Sequence, residues 1–265
     1  PTTVLQLHCG VPSYKLRKRY YTPPGPFAGA WVQTLLRRKE KLKSLSFQVP
    51  KWVTDEVHHL CRANSWGKAV DMFPNAKGLG VTATLCRCDG KGLGRHADGV
   101  MDTFVQGPTA RDLMNQGYLV DYRIFAPPSD LDIEGVTRSA DGDFNKKQLK
   151  IRARQSHIIG DVVDHYLRIA PGKLGVTFAT DIETATDIAE RYNAAGVSAK
   201  LITGKTKDSE RITTFRQFRA REILQIVNVD ICGEGVDIPA LEVVSMARPT
   251  ASYGLYCQQF GRSLR

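Results

Sequence analysis

The sequence predicts an α/β fold built on doubly wound parallel sheets, and two observations predict it. Short apolar runs of strand length alternate with amphipathic runs of helix length through residues 47–85 and again through residues 175–246. Alternation of that kind gives parallel strands covered by helices. Carboxylates, hydroxyls and glycines cluster immediately after several of these apolar runs. In a doubly wound sheet the carboxyl ends of the strands form the ligand crevice.

Residues 1–45 are the least patterned. Tyr20-Tyr21-Thr22-Pro23-Pro24-Gly25-Pro26 excludes helix and central strand, because proline lacks the N–H that both require. Pattern returns over residues 30–38. From 47 to 85 the chain reads strand, helix, strand: a strand ending at Trp52-Val53-Thr54, a helix over 67–73, and a short buried strand over 79–82. Pro50 fits poorly in the interior of the first of these strands. Residues 86–160 read as connecting material, with Gly90, Gly92 and Gly94 in one loop and turn clusters at Pro127-Pro128-Ser129-Asp130 and Ala140-Asp141-Gly142-Asp143. A single helix is expected over 146–167, ending near Pro171-Gly172. The second alternating unit has strands over 175–179, 199–202, 223–227 and 241–246. Asp181 is placed to cap a helix whose apolar face carries Ile182, Ala185, Ile188, Ala189 and Tyr192, and a basic helix spans 209–221. The expected division is a first lobe over 1–117, a linker and connecting helix over 118–160, and a second lobe over 161–265.

Composition bounds the function. The 265 residues hold 42% hydrophobic and 24% charged side chains, a globular balance with room for about two domains. No run approaches the ~18 apolar residues of a membrane span, and no secretory leader pattern is present, so a soluble, intracellular protein with no membrane partner is expected. The net charge of +10 favours a polyanionic partner, with basic residues concentrated at Lys15-Leu16-Arg17-Lys18-Arg19 and Arg37-Arg38-Lys39-Glu40-Lys41. Taken alone, those runs also read as a solvated face. Six cysteines, of which only Cys86 and Cys88 are close, form neither a zinc signature nor a disulfide framework. All six are expected to be reduced and mostly buried.

Asp55-Glu56-Val57-His58 follows the strand that ends at Thr54. Phosphoryl transfer needs a carboxylate to hold magnesium and a group to orient water, and adjacent carboxylates at a strand end can divide those tasks. Alone, the four residues equally describe an acidic turn. Thr82-Ala83-Thr84 closes the next strand about 25 residues on, a length suited to one helical crossover, and its hydroxyls can hydrogen-bond to the preceding loop. Val32-Gln33-Thr34-Leu35-Leu36-Arg37-Arg38 offers polar and basic groups for phosphate contacts, or an amphipathic surface turn. Gly233-Glu234-Gly235-Val236-Asp237-Ile238-Pro239 permits close backbone approach to a ligand, with Asp237 able to accept from a sugar hydroxyl. In the closing octet Gln258-Gln259-Phe260-Gly261-Arg262-Ser263-Leu264-Arg265, the two arginines three apart share one helix face. Such a pair can aim guanidinium groups at a phosphate.

Together, in this order and at these distances, the motifs resemble those of the superfamily-two DNA helicases of D-E-x-H type, nearest to compact phage and bacterial members related to restriction-enzyme motor subunits. The resemblance runs from about residue 30 to 265 and extends to Gly117-Tyr118-Leu119, to Gly204-Lys205-Thr206 with Glu210-Arg211, and to Arg248-Pro249-Thr250. It implies two RecA-like lobes, the first incomplete, and an ATP- and magnesium-dependent motor acting on nucleic acid, DNA rather than RNA, in the cytoplasm of a bacterial or phage-infected cell. By the same resemblance, Asp55 holds magnesium through water and Glu56 activates the attacking water. His58, Thr82 and Thr84 couple the nucleotide site to nucleic acid, which Gln33, Thr34, Arg37, Arg38, Gly204, Lys205 and Thr206 contact. Gly235, Asp237 and Gln258 bind the nucleotide, and Arg262 and Arg265 reach its γ-phosphate.

The sequence departs from that pattern in one respect. A phosphate loop, G-x-x-x-x-G-K-[ST], is expected ahead of Asp55 and is absent. The one Gly-Lys-Thr, at 204–206, has Ala199 where the loop's first glycine belongs. With Pro1 at the start and the octet's last arginine at the end, the expectation is a fragment of a longer motor; the alternative is a non-catalytic binding or assembly module that keeps the fold.

Overall fold

The computed structural model describes residues 4–8, 27–46, 49–85, 87, 89–139, 142–229 and 241–264. The chain divides into two compact units, Pro1–Gln106 and Gly107–Arg265.

The first unit carries β1 (Val4–His8), β2 (Phe27–Trp31), α1 (Val32–Arg37), α2 (Lys39–Ser46), β3 (Lys51–Thr54), α3 (Ser65–Val70) and β4 (Lys77–Gly80). The strands form one parallel sheet in the order β2-β1-β3-β4. Pro50 lies just before β3, where its missing N–H breaks no ladder bond, and its carbonyl accepts from Lys77 N. Along β3, Trp52 and Thr54 are buried while Lys51 is exposed, the period-two pattern of a strand with one packed face. Trp52 anchors a core with Val32, Leu35, Val57, Ala69 and Phe73. Gly78, paired with Trp52, is what lets the indole lie flat on β4: a Cβ there would stand 2.0 Å from the ring. Asn64 caps α3 by accepting from Trp66 N at 2.9 Å and Gly67 N at 3.2 Å. The strand expected to be buried over 79–82 is an exposed edge instead. Leu79 and Val81 are 58% and 46% exposed, because among the described residues β4 is outermost in the sheet and has a strand on one side only.

The second unit carries α4 (Ala110–Asn115), α5 (Lys146–Gln155), α6 (Ile158–Ile169), β5 (Gly175–Phe178), α7 (Ile182–Ala194), β6 (Ala199–Ile202), α8 (Asp208–Arg219), β7 (Gln225–Asn228), β8 (Val243–Met246) and α9 (Tyr253–Gly261). Its parallel sheet runs β6-β7-β5-β8. The two central strands are buried throughout and the two edges only in part. Alternate residues serve opposite faces: Val227 packs with Val163, Ile188 and Tyr192 of α6 and α7, while Ile226 packs with Ile202 of β6 and Phe218 of α8. Helices on both faces make this a doubly wound RecA-like lobe. Asp181 caps α7, accepting from Glu183 N and Thr184 N, and α7 buries Ala185, Ile188 and Tyr192 with Thr184, leaving Ile182 exposed.

The single helix expected over 146–167 is two. Ser156 is extended, its hydroxyl donates to Ala153 O, and Asp130 accepts from both His157 N at 2.9 Å and His157 Nδ1 at 2.6 Å. The Asp130 carboxylate thus holds the chain at the break and supplies the acceptor that a continuous helix would have provided. Of the cysteines, Cys61 and Cys257 are free thiols and half-buried rather than buried, and burial pushes the Cys61 thiol up. Cys9, Cys86, Cys88 and Cys232 lie outside the described residues. No helix among the described residues is long and apolar enough to cross a membrane.

Candidate functional site

In the first unit the candidate residues follow the carboxyl ends of three strands of the sheet, β2, β3 and β4, of which β3 and β4 are neighbours. β2 runs directly into α1, which buries Val32 and Leu35 and exposes Gln33, Arg37 and, just beyond it, Arg38, with Thr34 half-buried. β3 ends at Thr54, and Asp55 and Glu56 follow. Asp55 Oδ1 accepts from Glu56 N at 2.9 Å, and Glu56 takes a left-handed backbone, φ 50° and ψ 49°. For a residue with a Cβ that conformation costs about 1–2 kcal/mol, and strain of this kind gathers at functional sites.

Val57–His59 form one turn of 3-10 helix, which turns the buried His58 ring toward the end of β4. Val57 N bonds Val81 O, and Val81 N bonds Thr54 O, so the two strand ends are stitched together through the main chain. His58 Nδ1 lies 2.9 Å from Thr82 Oγ1, 3.4 Å from Thr84 Oγ1 and 3.5 Å from Glu56 Oε2. The Thr82 hydroxyl donates to Thr84 O at 3.0 Å and accepts from Thr84 N at 3.1 Å. A hydroxyl has one proton and two lone pairs. With its proton on Thr84 O, Thr82 accepts from His58, and Nδ1 carries the imidazole proton. The threonine hydroxyls therefore meet the histidine of the acidic loop rather than its carboxylates. His59 stacks on Trp66, centroids 5.9 Å apart.

In the second unit the candidate residues again follow strand ends. After β6, Gly204 and Lys205 are exposed in a turn closed on Thr203: Lys205 N donates to Thr203 Oγ1, Thr206 N to Thr203 O, and Thr203 N to Thr206 Oγ1. A phosphate loop presents its amides outward to oxygen atoms of the ligand, whereas here those of Lys205 and Thr206 are spent within the turn. Arg211 reaches back from α8 to Thr203 O at 3.0 Å. Gly235 and Asp237 lie outside the described residues. Ser252 caps α9 through Leu255 N. On that helix Gln258 is half-buried and Gln259 fully buried. Arg262 ends α9 and begins a 3-10 turn over Arg262–Leu264, so the α-helical face expected for the two arginines stops at the first; Arg265 is outside the described residues.

One buried carboxylate was not among the expected site residues. Asp143 accepts from Arg248 at 2.8 Å, from the Thr250 hydroxyl at 2.8 Å and from Ala251 N at 2.8 Å. Burial pushes its carboxyl up, but bonds from Phe144 N, Ala251 N and Thr250 together with the Arg248 charge outweigh this and hold it below the usual carboxylate range. Sequence alone marked residues 140–143 as a turn. The partners stand more than a hundred residues on, and only the folded sheet brings them together.

Residues 159–265 match the family described as Helicase conserved C-terminal domain. The 51.5 kDa protein of Lactococcus phage isolate 7-9 is 33% identical over 216 residues, 80% of this chain and 45% of that protein. Irc3 of Schizosaccharomyces pombe, named as a mitochondrial ATP-dependent helicase, is 28% identical over 87% of this chain and 38% of its own length. Residues 159–265 thus match a helicase C-terminal domain, and the similarity to these relatives supports a superfamily-two helicase assignment. It spans less than half the length of these relatives. Its fold is similar to that of the DUF1998 helicase MrfA, solved bound to DNA, with a TM-score of 0.57 and 17% identity over all of this chain and 41% of that one.

Proposed function

We propose that this superfamily-two helicase chain is part of an ATP-driven motor of D-E-x-H type that translocates on or separates DNA. The observation that carries the proposal is the His58–Thr82 bond, which ties the loop bearing Asp55 and Glu56 to the end of the adjacent strand. Hydrolysis at one place must alter the grip on nucleic acid at another, and a half-buried hydrogen-bonded link between two strand ends is a physical route for that coupling.

Among the described residues no group of three or more His, Cys, Asp or Glu side chains could hold a metal unaided. Asp55 and Glu56, adjacent after β3, are donors that fit magnesium, which is held by one or two carboxylates with waters and nucleotide phosphates rather than by a protein cage. Magnesium bound with ATP neutralises charge developing on the phosphates. Asp55 would hold it through water, and Glu56 would take the proton of the attacking water. Gly235, Asp237 and Gln258 would bind nucleotide, and Arg262 and Arg265 would reach its terminal phosphate. Gln33, Thr34, Arg37, Arg38, Gly204, Lys205 and Thr206 would contact the nucleic-acid backbone. The cytoplasm of a bacterial or phage-infected cell is the matching location.

Solved proteins of similar fold include MrfA bound to DNA and Dbp5 of Saccharomyces cerevisiae bound to RNA, so the choice of DNA rests on the resemblance of the motifs. ATP turnover by the whole protein carrying this sequence, measured with single-stranded DNA, duplex DNA and RNA, tests this; stimulation by RNA alone would overturn the DNA assignment. One observation favours a second reading, a non-catalytic module that keeps the fold: the sequence has no G-x-x-x-x-G-K-[ST], and the amides at Lys205 and Thr206 are engaged within their own turn. Absence of nucleotide binding by that whole protein would decide for it.

A further inference from the structure

We propose that Asp143 is a positioning residue for Arg262, holding the helix that carries this arginine at the angle nucleotide hydrolysis requires. The proposal rests on the reading of Arg262 as the group that reaches the terminal phosphate.

The clasp is built from distant parts of one unit. Asp143 stands beside the bridge between Arg138 and Phe144, and Ser139 gives both its N–H and its hydroxyl to Asp143 O. Gly142, next to Asp143, has a left-handed φ of 87°, which glycine adopts at little cost. Its carboxylate, buried with the Arg248 guanidinium, accepts from three successive points on the stretch leading into α9: Arg248, Thr250 and the Ala251 amide. Pro249, with its fixed φ and no N–H, lies between the first two. Thr250 Oγ1 also accepts from Ser252 N at 3.0 Å, and Ser252 is the α9 N-cap. An unbroken series of hydrogen bonds therefore runs from Asp143 to the first turn of α9.

Arg262 sits at the other end of that helix. At 1.5 Å per residue, a rotation of about 10° at the start of a nine-residue helix moves its far end by about 2 Å. A misplacement of about 1 Å at a reacting centre can cost about a hundredfold in rate. The influence of Asp143 on Arg262 passes through the angle of α9.

The test uses Asp143→Asn, which keeps an acceptor for Thr250 and Ala251 and removes the charge facing Arg248. Hydrogen exchange on the full chain should show at least tenfold faster exchange in α9 with α7 unchanged. In the whole protein, kcat of nucleic-acid-stimulated ATP hydrolysis should fall at least tenfold with KM for ATP within twofold. The double variant with Arg262→Ala should turn over no more slowly than Arg262→Ala alone. Thr250→Val, which removes one bond and leaves the ion pair, should give a smaller loss in the same direction and serves if Asp143→Asn does not fold. Unchanged exchange in α9, or a loss that multiplies that of Arg262→Ala, would overturn the proposal. Wild-type protein without stimulated hydrolysis would overturn the motor reading instead, while exchange in α9 would still decide whether Asp143 holds the helix.

Discussion

His58 Nδ1 lies 2.9 Å from Thr82 Oγ1, joining residues 24 positions apart at the carboxyl ends of β3 and β4. The hydroxyl accepts from the ring and from Thr84 N while donating to Thr84 O, so its hydrogen-bonding capacity is filled. Replacing Thr82 with valine keeps the shape and removes that capacity. If the link couples hydrolysis to nucleic-acid binding, Thr82→Val should lower the ratio of stimulated to unstimulated ATP hydrolysis about tenfold. The accompanying loss of stability should be only about 1–3 kcal/mol, the cost of leaving buried groups unpaired. Steady-state turnover with and without DNA checks this; an unchanged ratio would count against coupling through Thr82.

Gly78 packs directly against Trp52. A methyl at residue 78 would stand 2.0 Å from the Trp52 ring, so Gly78→Ala must displace the indole or part β4 from β3. Overpacking of this kind destabilises by about 1–3 kcal/mol. Urea denaturation followed by tryptophan fluorescence should show the midpoint falling, and a midpoint equal to wild type would contradict the geometry.

Arg37 and Arg38 are exposed at and just past the end of α1. If both meet phosphates of duplex DNA, each releases about 0.9 of a counterion on binding. Replacing both with alanine should flatten the dependence of log affinity on log salt by about 1.8. Fluorescence anisotropy titrations between low and moderate salt measure that slope, and an unaltered slope would remove these arginines from the interface.

Tyr192 is fully buried, packs edge-on against Tyr166, and burial pushes its phenol up to about 12. Its folded value lies above the unfolded value near ~10. The stability this represents is therefore complete below pH ~10 and lost as pH rises toward 12. Tyr192→Phe should make unfolding less sensitive to pH over that window, as read from chemical denaturation at successive alkaline pH values. Equal pH dependence in variant and wild type would show that Tyr192 is not the titrating group.

Local chemistry made much of the second unit legible in the sequence. Asp181 ahead of an apolar stripe marks the start of α7, and the short runs at 175–179 and 223–227 mark β5 and β7 as strands, though not their central rank. What escaped depends on long-range placement. The break between α5 and α6 is held by Asp130, 27 residues from His157. The exposure of Leu79 follows from the rank of β4 in its sheet, which no local pattern records. At the candidate site, residue types and their position after strands could be read directly. The pairing of His58 with Thr82, and above all the clasp of Asp143 on Arg248, needed the fold.

The most direct test of the motor reading is nucleic-acid-stimulated ATP hydrolysis by the whole protein, wild type against Glu56→Gln. The glutamine keeps the size of the side chain and removes the base. The account predicts wild-type turnover that rises with DNA, and a variant that still binds ATP and DNA but hydrolyses at least about a hundredfold more slowly, the scale of general-base catalysis. Stimulated turnover at the wild-type rate in Glu56→Gln would contradict it.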